Sequence, residues 1–183
     1  MLEQGYAAVT YRSVATRAGV TPGLVQYYFP VLDELFITVL RSGTDRVVDH
    51  LARALQAQQP LRALWNYANS REGTALLLEF MALANHRTPI ARVIGEGGER
   101  VRQTQLVALA KVWDRYGISD DSVTPAALLF LMSGIPRMIH LEEAFGTFTG
   151  HADAIALVER FLDRVEPRTS GTTHGPTTVT EPQ

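Results

Sequence analysis

The sequence predicts an all-α protein, a short helix-turn-helix module followed by a larger helical domain, and three features carry that prediction. No segment sustains the period-2 alternation of a strand between turn signals; apolar residues recur instead at spacings of 3 and 4; and Thr-Pro pairs, the signature of a capped helix start, recur at Thr21-Pro22 and Thr124-Pro125. With 183 residues, 46% of them hydrophobic and 20% charged, the chain has the make-up of a globular protein with a substantial core.

The elements follow in order. Thr10 is an N-cap for a helix from Tyr11 to Ala18, whose Val14, Ala15 and Ala18 share a face, and Gly19 ends it. Thr21 with Pro22 opens a second helix from Pro22 to Phe29, which Pro30 stops. Asp33 and Glu34 sit where carboxylates favour the start of a third, carrying Phe36, Val39, Leu40, Val47, Leu51 and Leu55, with Gly43 as a possible break. Pro60 opens a short helix with Leu61, Leu64 and Trp65, and Glu72 to His86 reads as a strongly apolar one. Pro89 opens a run toward Tyr116 that should start loosely, because Gly95, Gly97 and Gly98 each weaken a helix by roughly 1 kcal/mol relative to alanine. Gly117 closes it. The helix after Thr124 is apolar all round, so it needs cover on every side, and Pro136 should kink it. A last helix runs from about Ala152 to Val165, and residues 167–183, rich in Thr, Pro and Gly, read as a disordered tail.

Composition excludes several functions. No cysteine is present, which removes disulfides, thiolate metal sites and cysteine nucleophiles. The sequence shows neither a run of 18 or more apolar residues nor a signal peptide, so a cytoplasmic location is the expectation. The net charge of -2 means that any nucleic-acid site must be local. Sixteen of the 17 basic residues are Arg and only Lys111 is Lys, a bias of genomic composition.

Two short helices joined by the glycine turn Ala18-Gly19-Val20 make a helix-turn-helix, whose second helix enters the DNA major groove. Read together, Leu2-Glu3-Gln4-Gly5-Tyr6, Thr10, Val14-Ala15, Ala18-Gly19-Val20, Gly23, Tyr28-Phe29 and Asp33-Glu34-Leu35 resemble the DNA-binding domain of the TetR family of regulators over residues 2 to 40. The helical remainder looks like that family's variable ligand-binding and dimerisation domain. The resemblance implies an operator-binding homodimer, a first helix against the DNA backbone and a second in the groove. It suggests phosphate contacts from Thr10 and Tyr28 and base-facing positions for Arg12, Pro22, Gly23, Gln26 and Tyr27. Side-chain chemistry agrees in places: Arg12 can pair bidentately with guanine, Gln26 with adenine, and Tyr27 can press on a thymine methyl. Thr21 caps a helix whose N-terminus can face a phosphate. The bland role for the aromatics, anchoring the helix to the core, is assigned to Phe29.

The sequence departs from the family at two places. Leu32 stands where a lysine usually precedes the acidic pair, with Pro30 and Val31 in place of small polar residues, so one phosphate contact should be missing. The family's full first helix is represented only by its last turn, and the expectation is a start assigned too late. Through residue 43 the module carries Arg12, Arg17 and Arg41 against Glu3, Asp33 and Glu34, which cancel. Affinity should then depend on dimerisation and close contacts more than on long-range attraction.

The domains are expected to be 1–43 for DNA binding, 44–166 for ligand binding and dimerisation, and 167–183 as tail. Trp65, Phe80, Met81, Trp113 and Met132 are candidates to line an apolar effector pocket, with Met138, Phe130 and Phe145 beside them and Asn69, Asn85, Arg137 or His140 as polar handles. Core packing is the competing role for each. Arg137, beside Pro136 in an apolar helix, calls for a carboxylate, from Glu79 or from a ligand acid. The last two helices, about 124–145 and 152–165, are the dimer candidates.

Gly95-Glu96-Gly97-Gly98 is no phosphate loop, since it follows no strand and lacks the later Gly and Lys. His140, Glu142 and Glu143 do not share a helix face as metal ligands would. No nucleophile, base and orienting residue can be paired, so no enzyme activity, metal or cofactor is expected. The sequence thus points to a repressor released from its operator by a small apolar effector. The alternative is a helical dimer of the same fold that has lost DNA binding.

Overall fold

The computed structural model describes residues 1, 5–118 and 123–168, and among them it contains eight α-helices, two 3-10 turns and no strand. A 3-10 turn at Tyr6–Ala8 leads into α1 (Tyr11–Ala18) and α2 (Pro22–Tyr28). Then come α3 (Leu32–Ala54), α4 (Pro60–Ala68), α5 (Arg71–Ala84) and α6 (Thr88–Ala110). A second 3-10 turn, Trp113–Tyr116, precedes α7 (Pro125–Glu143) and α8 (His151–Val165). The predicted tail falls outside the described residues from 169 onward. No single helix among those described is long and apolar enough to cross a membrane.

The predicted helix starts at Thr10, Thr21 and Thr124 form as the cap chemistry requires. The Thr10 hydroxyl accepts the Ser13 amide at 3.1 Å while Ser13 Oγ accepts the Thr10 amide at 2.9 Å, a reciprocal capping box. Thr21 accepts the Leu24 amide at 3.3 Å and Thr124 the Ala127 amide at 3.1 Å, each followed by proline at the helix start.

Two expectations about glycine are corrected. Helix α3 runs through Gly43 without a break, so one helix crosses the expected boundary between the DNA module and the larger domain. Helix α6 likewise forms one uninterrupted helix through Gly95, Gly97 and Gly98. It ends at Ala110, and the turn before Tyr116 is a separate element. Gly97 has a packing reason that local propensity does not reveal: α3 and α6 pack closely, and a Cβ at this position would lie 2.7 Å from the Thr44 hydroxyl. Replacing Gly97 with valine should therefore lower stability by about 1–3 kcal/mol through overpacking. Adding Thr44→Ala should recover part of that loss, and urea midpoints for the wild type, both single variants and the double variant measure the coupling.

Two apolar clusters hold the helices together. The larger joins α3, α4, α6, α7 and α8 through Leu51, Leu61, Leu64, Trp65, Leu109, Leu129, Met132 and Leu162, all nearly or fully buried. The smaller joins α3, α5 and α6 through Phe36, Phe80, Leu83 and Ile90, with Phe36 and Phe80 edge to face at 6.1 Å. Tyr6, Val9 and Leu32 pack against that second cluster, and the Tyr6 amide donates to Glu79 Oε2 at 2.9 Å. The N-terminal module is thereby packed onto the larger domain as well as joined to it through α3.

A carboxylate far along the chain caps α4. Glu166, the residue after α8, is buried and accepts the Leu61 amide at 3.0 Å, the Arg62 amide at 2.8 Å and the Tyr116 hydroxyl at 2.6 Å. Pro60 has no amide to offer, so the next two donors of the first turn are the ones that find the acid. Burial, and then the bond to Glu166, push the Tyr116 hydroxyl well above its ordinary pKa, so it remains a donor. Arg62 adds a bond to the Glu166 carbonyl and reaches Glu159 and Asp163 on α8.

Candidate nucleic-acid interface

Helices α1 and α2 meet through two small apolar contacts, Ala15 and Val25, both buried. The turn between them is made possible by Gly19, whose φ of 68° lies in the left-handed region that a side chain would disfavour. Val20 then donates its amide back to the Ala15 carbonyl at 3.0 Å, closing the end of α1. At the other end of α2 the Tyr11 hydroxyl lies 2.9 Å from the Phe29 carbonyl and 3.0 Å from that of Pro30. This side chain of α1 fixes where α2 stops, and the sequence alone did not single it out.

Everything that the sequence assigned to the DNA side of this pair is exposed: Thr10, Arg12, Thr21, Pro22, Gly23, Gln26, Tyr27 and Tyr28. Tyr27 and Tyr28 are 77% and 67% exposed, which is not how core anchors behave, and their rings meet edge to face at 5.4 Å. Phe29 is half-buried, in keeping with an anchoring role. The short α2 thus offers its N-terminus and an outer side bearing an amide and two phenols. Those groups donate and accept hydrogen bonds and present flat apolar faces, the chemistry that base edges and phosphates require.

The departure at Leu32 has a structural reason. Leu32 packs against the cluster of Phe36, Phe80, Leu83 and Ile90, so this position has been given to the junction with the larger domain. The local charge also differs from the bare sum. Asp33 is paired with Arg87, at the start of α6, so a cation from the larger domain covers one of the module's three acids.

In the larger domain the candidate pocket residues fall in several different surroundings. Trp65 and Met132 are core residues of the main cluster, and the Trp65 indole donates to Glu159 Oε1 at 2.9 Å. Trp113 packs on the flank of that cluster against Tyr116. Phe80 belongs to the other cluster, and Met81, its neighbour, is exposed. Asn69 ends α4 with its side chain bonded to the Trp65 carbonyl at 2.9 Å. His140 is largely covered; its Nδ1 lies 3.6 Å from Glu143 Oε2 and its Nε2 has no hydrogen-bond partner among the described residues. Arg137, expected to be buried, is open to solvent, and Glu79, its proposed partner, is bonded to Tyr6 instead. The reason is that no helix among the described residues covers this side of α7, where Phe130, Leu131, Met138 and Leu141 are exposed as well.

A groove of 210 Å³ lies elsewhere, between Gln58, Gln59, Arg115, Tyr116, Val165, Glu166 and Pro167, and is lined by none of the eight candidates. Among the described residues no three His, Cys, Asp or Glu side chains are placed to hold a metal ion; Glu142 pairs instead with His151 at 2.7 Å.

Residues 1–39 match the model of a protein family described as bacterial regulatory proteins, tetR family. No curated protein is similar enough to the chain to count as a relative.

Proposed function

We propose, from the membership of this chain in the tetR family of bacterial regulatory proteins through its N-terminal domain, that it is a homodimeric repressor released from its operator by a small molecule. A DNA-binding transcription regulator is the part of that statement which the family supplies. The observation that carries the rest is the junction: the same module that exposes Gln26, Tyr27 and Tyr28 is packed by Phe36, Phe80 and Ile90 onto the helices of the larger domain. A ligand that shifts α5 or α6 would shift the recognition helix with them, and would act by favouring a different separation of the two helices in the dimer.

Dimerisation through α7 and α8 is supported by what those helices leave uncovered. Leu131 and Met138, seven residues apart and so on one side of α7, are 56% and 55% exposed, and Leu157 of α8 is 62% exposed. Apolar side chains in this number on adjoining helices fit a self-complementary contact about a two-fold axis. The two recognition helices of such a dimer would read half-sites about 34–36 Å apart on a pseudo-palindrome.

Selection from a random DNA pool at two salt concentrations tests the reading. Enrichment of a palindromic site is expected, with affinity falling as salt rises. If no site is enriched, the degenerate helical dimer takes its place. The roles within the module separate further: Gln26→Ala should cost about 1–3 kcal/mol of discrimination at one base position, whereas Tyr28→Phe should weaken all sequences alike. Titrating each variant against the selected site and a scrambled one distinguishes them, and equal losses of discrimination would contradict the assignment.

A further inference from the structure

Between Arg17 and Asp33 the chain carries no charged side chain, so the turn and the whole of α2 are neutral. At about 100° per residue, the direction opposite the buried Val25 falls between Gly23 and Tyr27, about 20° from each. Leu24 and Gln26 flank that direction at about 80° on either side. Leu24 is 44% exposed and Tyr27 77% exposed, so two of the three side chains on this outer side offer apolar surface. Tyr28 packs edge to face with Tyr27 at 5.4 Å and restrains its ring.

Nothing inside the protein requires glycine at position 23. Gly23 is not among the glycines with a positive φ, and a Cβ built on it would meet nothing within 4 Å among the described residues, in contrast to Gly97. Glycine also weakens a helix relative to alanine, so the fold would gain from a methyl group here. What glycine allows at an open, outward position is the close approach of a partner to the backbone. Leu24 points to the chemistry of that partner. Its side chain neither donates nor accepts hydrogen bonds, and the apolar group that base pairs present in the major groove is the C5 methyl of thymine.

We infer that α2 reads thymine through its methyl group, which seats over Gly23 between Leu24 and Tyr27, with Gln26 beside it placed for an adjacent adenine. This rests on the regulator reading and narrows its operator to half-sites that carry thymine under α2. It adds Leu24 to the base-facing residues and gives Gly23 a role as the floor of the contact. Covering one methyl changes affinity roughly 4-fold, and covering one in each half-site of a dimer changes it roughly 10- to 20-fold.

The probe is the selected operator remade with deoxyuridine for each thymine in turn, in both half-sites at once, which removes the methyl and keeps the base pair. The full chain is titrated against each duplex at constant salt. At one or more positions the uracil operator should bind roughly 10- to 20-fold more weakly than the thymine operator. Leu24→Ala should weaken binding to the thymine operator and shrink that difference to less than about 3-fold. Gly23→Ala should do the same while the thermal midpoint of the free protein holds or rises, which separates lost contact from lost folding. Indifference to uracil at every position, or a uracil effect that survives undiminished in both variants, would overturn the inference. Both of those results come from a chain that still binds its operator. Failure of the regulator reading differs: no operator is selected, and the thymine contact falls with it.

Discussion

Replacing Glu166 with alanine is expected to cost the protein about 3 kcal/mol or more of stability. The acid is buried, and its loss leaves the buried Leu61 amide and the part-buried Arg62 amide and Tyr116 hydroxyl without their acceptor. Hydrogen bonds to a charged acceptor are worth more than neutral ones, and the donors left behind bear the full penalty of desolvation. Glu166→Gln keeps an oxygen for one or both amides and should cost about half as much. Urea denaturation at a fixed protein concentration checks both values. If Glu166→Ala unfolds at the wild-type midpoint, the capping role is wrong.

The second large effect is expected at the open side of α7 and α8. Leu131→Glu combined with Leu157→Glu places four carboxylates in the proposed two-fold contact, where their desolvation and mutual repulsion oppose association. The variant should sediment as a monomer and bind the selected operator roughly 10²- to 10⁴-fold more weakly, because each half-site is then engaged without the help of the other. Both positions are exposed in the protomer, so its helical content should be retained. A variant that stays dimeric would move the interface elsewhere on the chain.

Helix starts and the turn of the recognition module were legible in the sequence because their causes are local. Thr10, Thr21 and Thr124 reach amides three residues away, and Gly19 answers to its own φ. The exposed positions of α2 followed for the same reason, since a seven-residue helix buried through Val25 leaves little choice of side. What misled was local propensity where a distant residue decides. Gly97 reads as a weak point until Thr44, from another helix, is found against it. Glu166 gave no signal at all: the amides that it caps lie more than 100 residues earlier.

The pocket candidates show a related difficulty. Aromatic and methionine residues identify apolar helix faces, but not which of two clusters a face joins, and Phe80 and Met81 diverge although they are adjacent. Arg137, singled out by the apolar sequence around it, was expected in the interior and lies instead on the exposed side of α7.

The unbroken α3 has a mechanical consequence. At 1.5 Å per residue its 23 residues make a rod about 34 Å long. One end of that rod adjoins the recognition module and the other is buried in the main core at Leu51. A tilt of only about 5° at the core end carries the far end through about 3 Å, and in the proposed dimer, with two protomers leaning in opposite senses, the displacement would double. A lever of this length needs no unfolding and no hinge to take the paired recognition helices out of step with successive turns of the major groove. A break in the helix, such as Gly43→Pro, should therefore weaken the mechanical coupling between the larger domain and the recognition module.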